Sequence, residues 1–209
     1  MSPKTRLVIF LFVILFALIT VSFILITIKS TSIASISNGR MTASGLTGDF
    51  TLIDENEATV TPSTFAGQYK LIFFGFTHCP SICPTELLKI ADIMAALPSD
   101  KAGRVTPIFI TVDPMRDTPE IIKKYTDQFD SRIVGLTGTE HQIRLAIDTF
   151  KVYAARVDTS KMPETKSANY SFDHSTFLYL FSPSHELIKL YRMSDTADQI
   201  APDLLGYIE

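Results

Sequence analysis

The stretch Phe73-Phe74-Gly75-Phe76-Thr77-His78-Cys79-Pro80-Ser81-Ile82-Cys83-Pro84 holds the only two cysteines in 209 residues, four positions apart. The apolar run Leu71 to Phe76 leads into it and reads as a buried strand. Pro84 follows, and because proline is tolerated at a first helical position, a helix is predicted from Pro84 to Leu97. The cysteines therefore fall where a strand's C-terminal end turns into a helix, the edge at which open α/β sheets bind ligands. If Cys83 caps that helix, unpaired N–H groups and the positive end of the helix dipole lower its thiol pKa. The thiolate is the form that binds metal or attacks a disulfide.

Two thiolates at this spacing can form a structural disulfide, cycle as a redox pair or hold a soft metal. A bridge closing about five residues would contribute only about 2 kcal/mol in the chain-entropy model. A domain as long as residues 46–209 buries enough core not to need one. The CxxxC spacing alone does not decide between redox and metal chemistry.

The ends of the chain say where it works. Met1 to Arg6 is short and basic, and Leu7 to Ile28 runs 22 residues without a charge. At about 1.5 Å per residue such a helix crosses a hydrocarbon core of about 30 Å. A single transmembrane anchor is expected there, in preference to a cleaved leader ending near Ser32-Ile33-Ala34. Lys4 and Arg6 lie on one side of it and Lys29 on the other, which favours a cytoplasmic N-terminus and an exported C-terminal domain. Outside residues 1–30 the chain keeps 16 basic against 22 acidic residues, a formal charge of −6. That balance does not fit nucleic acid as a partner, which needs a basic patch. Three parts follow: residues 1–28 as N-terminus and anchor, 29–45 as a Ser/Thr/Ala-rich linker, and 46–209 as the folded domain.

Within that domain, Asp49–Ile53 and Ala58–Thr61 flank the turn Asp54-Glu55-Asn56-Glu57 as a hairpin. After the central strand, helix 84–97 is expected to bury Leu87, Leu88, Ala91, Met94, Ala95 and Leu97. Val105–Val112 is a second apolar strand. Asp117 or Thr118 then caps a helix over 119–129 with Ile121, Ile122, Tyr125 and Phe129 inward. Asp113 and Arg116 are left over by that capping, and lie at the cysteine end of the sheet if the strands are parallel. A short strand at 133–136, a helix at 139–150 and a strand at 152–155 follow. Residues 156–173 read as irregular. Thr176–Phe181 and Glu186–Tyr191 form a hairpin, and a last helix over 196–208 is broken by Pro202. This βαβαβ order with a closing hairpin and helix is α/β and thioredoxin-like, elaborated by the N-terminal β-hairpin and an insertion near 131–155.

Of the four histidines, His141 falls in a helix and His185 in a surface turn, both expected to be solvated. His78 neighbours Cys79, though adjacent side chains often diverge. His174 stands just before a central strand, beside the region that faces the active-site turn in thioredoxin-like folds. Asp173 precedes it.

The chain resembles the Sco/SenC family of membrane-anchored copper proteins. The resemblance rests on Phe74 to Leu87 (Phe-Gly-Phe-Thr-His-Cys-Pro-Ser-Ile-Cys-Pro-Thr-Glu-Leu), Val112 to Pro119 (Val-Asp-Pro-Met-Arg-Asp-Thr-Pro), Gly135 to Gly138, and Asp173-His174-Ser175, in family order. Ser81 stands where family members carry an acidic residue. The resemblance implies a site for one copper, as Cu(I) or Cu(II), at Cys79, Cys83 and His174. By their position Asp113 and Arg116 are candidates for a supporting shell or for a plain loop salt bridge, and Asp173, next to His174, is a further candidate for that shell. Two thiolates suit Cu(I), and an added imidazole also accepts Cu(II).

It further implies delivery of copper to the dinuclear centre of cytochrome c oxidase subunit II, or of a related oxidase. Other copper chaperones or thioredoxin-like reductases would be further partners. The location would be a bacterial inner membrane with the domain in the periplasm, or the mitochondrial inner membrane facing the intermembrane space. On this reading the protein is a carrier and not an enzyme.

The alternative is a thiol–disulfide oxidoreductase with Cys79 and Cys83 as the redox pair, against which stand the CxxxC spacing and Ser175 where thioredoxins place a proline. A peroxidase would want threonine three residues before the cysteine, where Phe76 stands. A binding module with inert cysteines would bury both thiols.

Overall fold

The computed structural model describes residues 46–159 and 170–208. The expected membrane span and most of the linker lie outside them. Among the described residues no helix is long and apolar enough to cross a membrane.

In chain order the elements are β1 (Leu52–Asp54), β2 (Thr59–Val60), a 3-10 turn (Pro62–Phe65), β3 (Tyr69–Gly75), α1 (Ile82–Ala96), α2 (Ser99–Ala102), β4 (Val105–Thr111), α3 (Pro119–Thr126), β5 (Val134–Thr137), α4 (Glu140–Phe150), β6 (Ala154–Asp158), β7 (Tyr170–His174), β8 (Leu178–Phe181), β9 (Leu187–Tyr191) and α5 (Ala197–Leu205). Seven strands make one sheet in the order β2-β1-β5-β4-β3-β8-β9, and β6 and β7 form a separate pair. β3, β4 and β5 run parallel, and β8 lies antiparallel to β3 with Lys70 opposite Phe181 and Phe73 opposite Leu178.

All seven residues of β3 are buried, as an apolar run in a sheet covered on both faces requires. Phe74 on one face meets Phe150 of α4 at 5.0 Å. Phe73 on the other meets Phe109 of β4 at 6.3 Å, which in turn meets Tyr125 of α3 at 5.9 Å. Phe150 also touches Phe50, Tyr179 and Phe181, and so ties the chain's entry to the sheet. The mixed α/β, thioredoxin-like architecture with its N-terminal hairpin is as the sequence pattern predicts. The segment 131–155 is no appendage: β5 sits inside the sheet between β1 and β4.

Several local expectations are corrected. α1 begins at Ile82, so Cys83 is its second residue and not its cap. A missing N–H does no harm anywhere in a first turn, so Pro84 marks the turn and not the first residue. The buried stripe of α1 is Cys83, Glu86, Leu87, Ile90, Ile93 and Met94, spaced by threes and fours, while Leu88 is 55% exposed. α3 stops at Thr126 and leaves Ile121 exposed. Residues 154–158 and 170–174, mostly read as irregular, pair as an antiparallel ladder from Ala154 opposite His174 to Asp158 opposite Tyr170. Pro202 sits inside an unbroken α5, whose Ile200, Ala201 and Leu204 are buried. Packing of that face offsets the one backbone hydrogen bond that proline removes.

His185 is not solvated. It sits at φ 66°, its ring stacks on Phe181 at 5.0 Å, and its Nε2–H donates to the Gly48 carbonyl at 3.0 Å. Burial pushes its pKa down.

α4 starts with a reciprocal cap. The Gln142 N–H donates to Thr139 Oγ1 at 3.2 Å, and the Thr139 N–H donates to Gln142 Oε1 at 2.8 Å. Thr139→Ala is expected to lose about 1 kcal/mol, a fall in melting temperature of about 2–4 °C, read by thermal denaturation.

Candidate metal centre

The cysteine turn leaves the C-terminal end of β3 and is pinned from beneath by one carboxylate. Buried Asp117 accepts from the Thr77 N–H at 3.0 Å, from Thr77 Oγ1 at 2.6 Å and from Thr111 Oγ1 at 2.6 Å. Its own carbonyl accepts from Thr137 Oγ1 at 2.8 Å, which ties the arrangement to β5. Burial pushes the Asp117 carboxyl up, against three hydrogen bonds that favour the anion. The Cys79 N–H then donates to the Phe76 carbonyl at 3.2 Å, and the Cys83 N–H to Cys79 Sγ at 3.5 Å.

Both cysteines are free thiols, Cys79 partly exposed and Cys83 buried. They share one proton unequally. A hydrogen bond from the Cys83 thiol holds Cys79 far below the ordinary thiol range, while the same bond and its own burial push Cys83 up. Cys79, just ahead of the helix, is thus the sulfur held toward the thiolate form, whereas the sequence reading favoured Cys83 as a cap.

Gly75 makes room for the second sulfur. A Cβ there would come within 2.7 Å of Cys83 Sγ and 2.9 Å of Phe109 Cε2.

His174 ends β7 and reaches over the sulfurs. Its Nδ1 lies 2.9 Å from the Ser175 carbonyl, which only accepts, so Nδ1 carries the proton. Nε2 is left with a free lone pair, 3.7 Å from Cys83 Sγ. Such a second hydrogen bond is what fixes the tautomer of a metal-ligating histidine. The donor atoms of Cys79, Cys83 and His174 all lie within 4.8 Å of one another, and no other cluster of cysteine, histidine or carboxylate of this kind occurs among the described residues.

A model of the SCO1/SenC family matches residues 39–209. The chain belongs to that family. It is 42% identical over 153 residues to an SCO2-like protein of Rickettsia prowazekii, covering 73% of this chain and 72% of the relative. Among solved structures, Arabidopsis thaliana ScoI with copper bound shares 33% identity and a TM-score of 0.70, with 78% of this chain and 98% of that one covered. Bradyrhizobium japonicum ScoI with copper bound shares 37% identity and a TM-score of 0.68, with 78% and 99% covered.

The fold thus brings together the three residues that the family resemblance singled out, although Cys79 lies in the turn after β3, Cys83 in α1 and His174 in a strand of the separate pair. Asp113 and Arg116 form an ion pair at the end of β4 and reach the first residue of β7 instead of the sulfurs. Asp173 is exposed, on the face of β7 opposite His174. His78 turns toward Asp117, 3.9 Å away, with its Nδ1 3.1 Å from Thr77 Oγ1. His141 is exposed.

Two residues of the arrangement escaped the sequence reading. Asp117 looked like a helix cap, but Thr118 does the capping by accepting from the Ile121 N–H. Two cap residues for one helix was the available signal. Gly75 sat in an apolar strand, where a glycine often marks a close approach.

Proposed function

We propose that the domain binds one copper ion through Cys79 Sγ, Cys83 Sγ and His174 Nε2 and hands it to a respiratory haem–copper oxidase. The recipient is the dinuclear copper centre of subunit II. Residues 7–28 hold the protein to the membrane, with the domain on the exported side. The carrying observation is the convergence of two sulfurs and one lone-pair nitrogen with its tautomer already set. Two soft donors and an imidazole suit Cu(I) and also accept Cu(II). Three donors at a partly exposed edge leave a position through which a partner's ligand can enter, whereas a structural zinc site is closed by four. Copper-bound relatives of 33% and 37% identity support the reading. Copper is cargo here, and the protein is a carrier instead of a catalyst.

The test is an anaerobic copper titration of the reduced full chain in mild detergent, beside Cys79→Ser, Cys83→Ser and His174→Ala. One tightly held copper, weakened in all three variants, is expected. Failure of the wild-type chain to retain copper against a competing chelator would sink the proposal.

A second reading has its own support in the partly exposed Cys79 sulfur, held toward the thiolate form beside the buried Cys83. Cys79 would attack a partner's disulfide, and Cys83 would then displace the partner's second sulfur as a thiolate. The partner leaves as a dithiol, and a Cys79–Cys83 disulfide remains. Fast exchange with a model disulfide in a chain that does not retain copper would favour it.

A further inference from the structure

Neither β6 nor β7 shares a ladder with the seven-stranded sheet among the described residues, yet β7 carries His174. Side chains must therefore fix the imidazole over sulfurs carried by the turn after β3 and by α1. We propose that Tyr170, clasped by Asp113 and Arg116, is a positioning residue for His174. The proposal rests on the copper-site reading above.

Residues 170, 172 and 174 share one face of β7 by the period of two. Their rings form a chain that includes Phe76, the residue that leads from β3 into the cysteine turn. Tyr170 lies 5.9 Å from Phe172, Phe172 5.8 Å from Phe76, and Phe76 5.7 Å from His174. The end of this chain remote from the metal site is locked. Tyr170 Oη donates to Asp113 Oδ1 at 3.1 Å. The Arg116 Nη1–H donates to the Tyr170 carbonyl at 3.2 Å, its Nε–H pairs with Asp113 Oδ2, and its guanidinium lies 3.9 Å from the Tyr170 ring centre. Arg156 lies against the same ring at 3.6 Å. Asp113 is buried, and its N–H donates to Thr111 Oγ1 at 2.9 Å, so the clasp is anchored at the end of β4.

The connection is directional. A strand is stiff along its length, and four residues of about 3.3 Å each carry the constraint from Tyr170 to His174. At the other end, the Ser175 N–H donates to the Tyr153 carbonyl at 2.9 Å, which ties β7 only to the residue before β6. The clasp is thus a polar link from β7 to the end of β4 in the main sheet. A plain surface ion pair would need neither a buried carboxylate nor a phenol bonded to it.

The test uses the full chain in detergent, with Cu(II) and Cu(I) as separate probes. Tyr170→Phe keeps the ring and deletes the bond to Asp113; Arg116→Gln loosens the same clasp from the other side. Each is expected to weaken Cu(II) binding about tenfold and to shift the thiolate-to-Cu(II) charge-transfer band, as loss of a ligand's support does. Cu(I), held mainly by two thiolates, should change less than about threefold. In a His174→Ala background neither variant should weaken Cu(II) further. In the metal-free chain, amide exchange across 170–174 should quicken in Tyr170→Phe while that across 69–75 does not.

Wild-type Cu(II) affinity and band position in both variants would overturn the proposal, as would an equal loss in the His174→Ala background. If His174→Ala itself binds Cu(II) as the wild type does, the ligand set fails first. That outcome is separable, because the exchange measurement needs no copper.

Discussion

Asp117→Ala is expected to destabilise the domain by about 4 kcal/mol and to free the cysteine turn from the sheet at the same time. The carboxylate serves three donors, and each donor left without a partner in a dry site costs about 1–3 kcal/mol. The two threonine hydroxyls can rotate, but the Thr77 N–H cannot, so the turn itself has to shift. Urea unfolding reads the loss, and a shift under about 1 kcal/mol would show that the network is not holding the turn.

The charge adds a pH signature. Burial raises the native pKa of Asp117 above its unfolded value, so the folded chain holds this proton more tightly. Its contribution to stability is full below the ordinary carboxylate range and declines as pH rises through the raised native value. Asp117→Asn should remove that part of the stability–pH curve.

Gly135→Ala should cost about 3 kcal/mol without touching the sulfurs. Gly135 lies in β5 opposite Phe109, and a Cβ there would come within 1.9 Å of Ile122 Cγ2. Ile122 is fully buried on α3, and its branched carbon leaves it little freedom to turn aside. The helix must lift from the sheet. Ile122→Leu moves the branch away from Cβ at nearly constant volume and should restore a good part of the loss. Thermal melts of the two single variants and the pair give the coupling. A pair that melts as simple addition predicts would show that the clash is relieved elsewhere.

The sequence carried the fold where periodicity was strong. Leu71 to Phe76 and Val105 to Val112 read as covered strands because both faces are apolar, and both lie at the sheet's centre. Legibility failed where one residue type serves two roles. Pro84 marks a first turn without fixing its first residue, so the predicted helix starts two residues late and Cys83 lies inside it instead of capping it. Leu88 is as apolar as Leu87, and only the partners of α1 decide which of them is covered.

At the site, Cys79 and Cys83 were plain from their spacing, and His174 from the resemblance. Their convergence was not legible, because it depends on a ladder between residues 154–158 and 170–174 that neither segment announces strongly. The alternation Tyr170-Ser171-Phe172-Asp173-His174 was a period-two signal hidden in a stretch read as irregular. Thr111, Thr77 and Thr137 are far apart in sequence, and nothing local points each of them at Asp117.

The entry of the chain into the domain carries a mechanical consequence. Gly48 is tied to His185, and the Asp49 carbonyl to Thr149 Oγ1. His185 follows Phe181, which lies opposite Lys70 near the start of β3. The sulfurs lie beyond Gly75 at the other end of that strand, about 17 Å away along it. Any pull transmitted through the residues before Leu46 thus reaches the molecule at its rear. The sulfur-bearing pole is spared that load, because the contact of Gly48 with His185 lies toward the opposite end of β3.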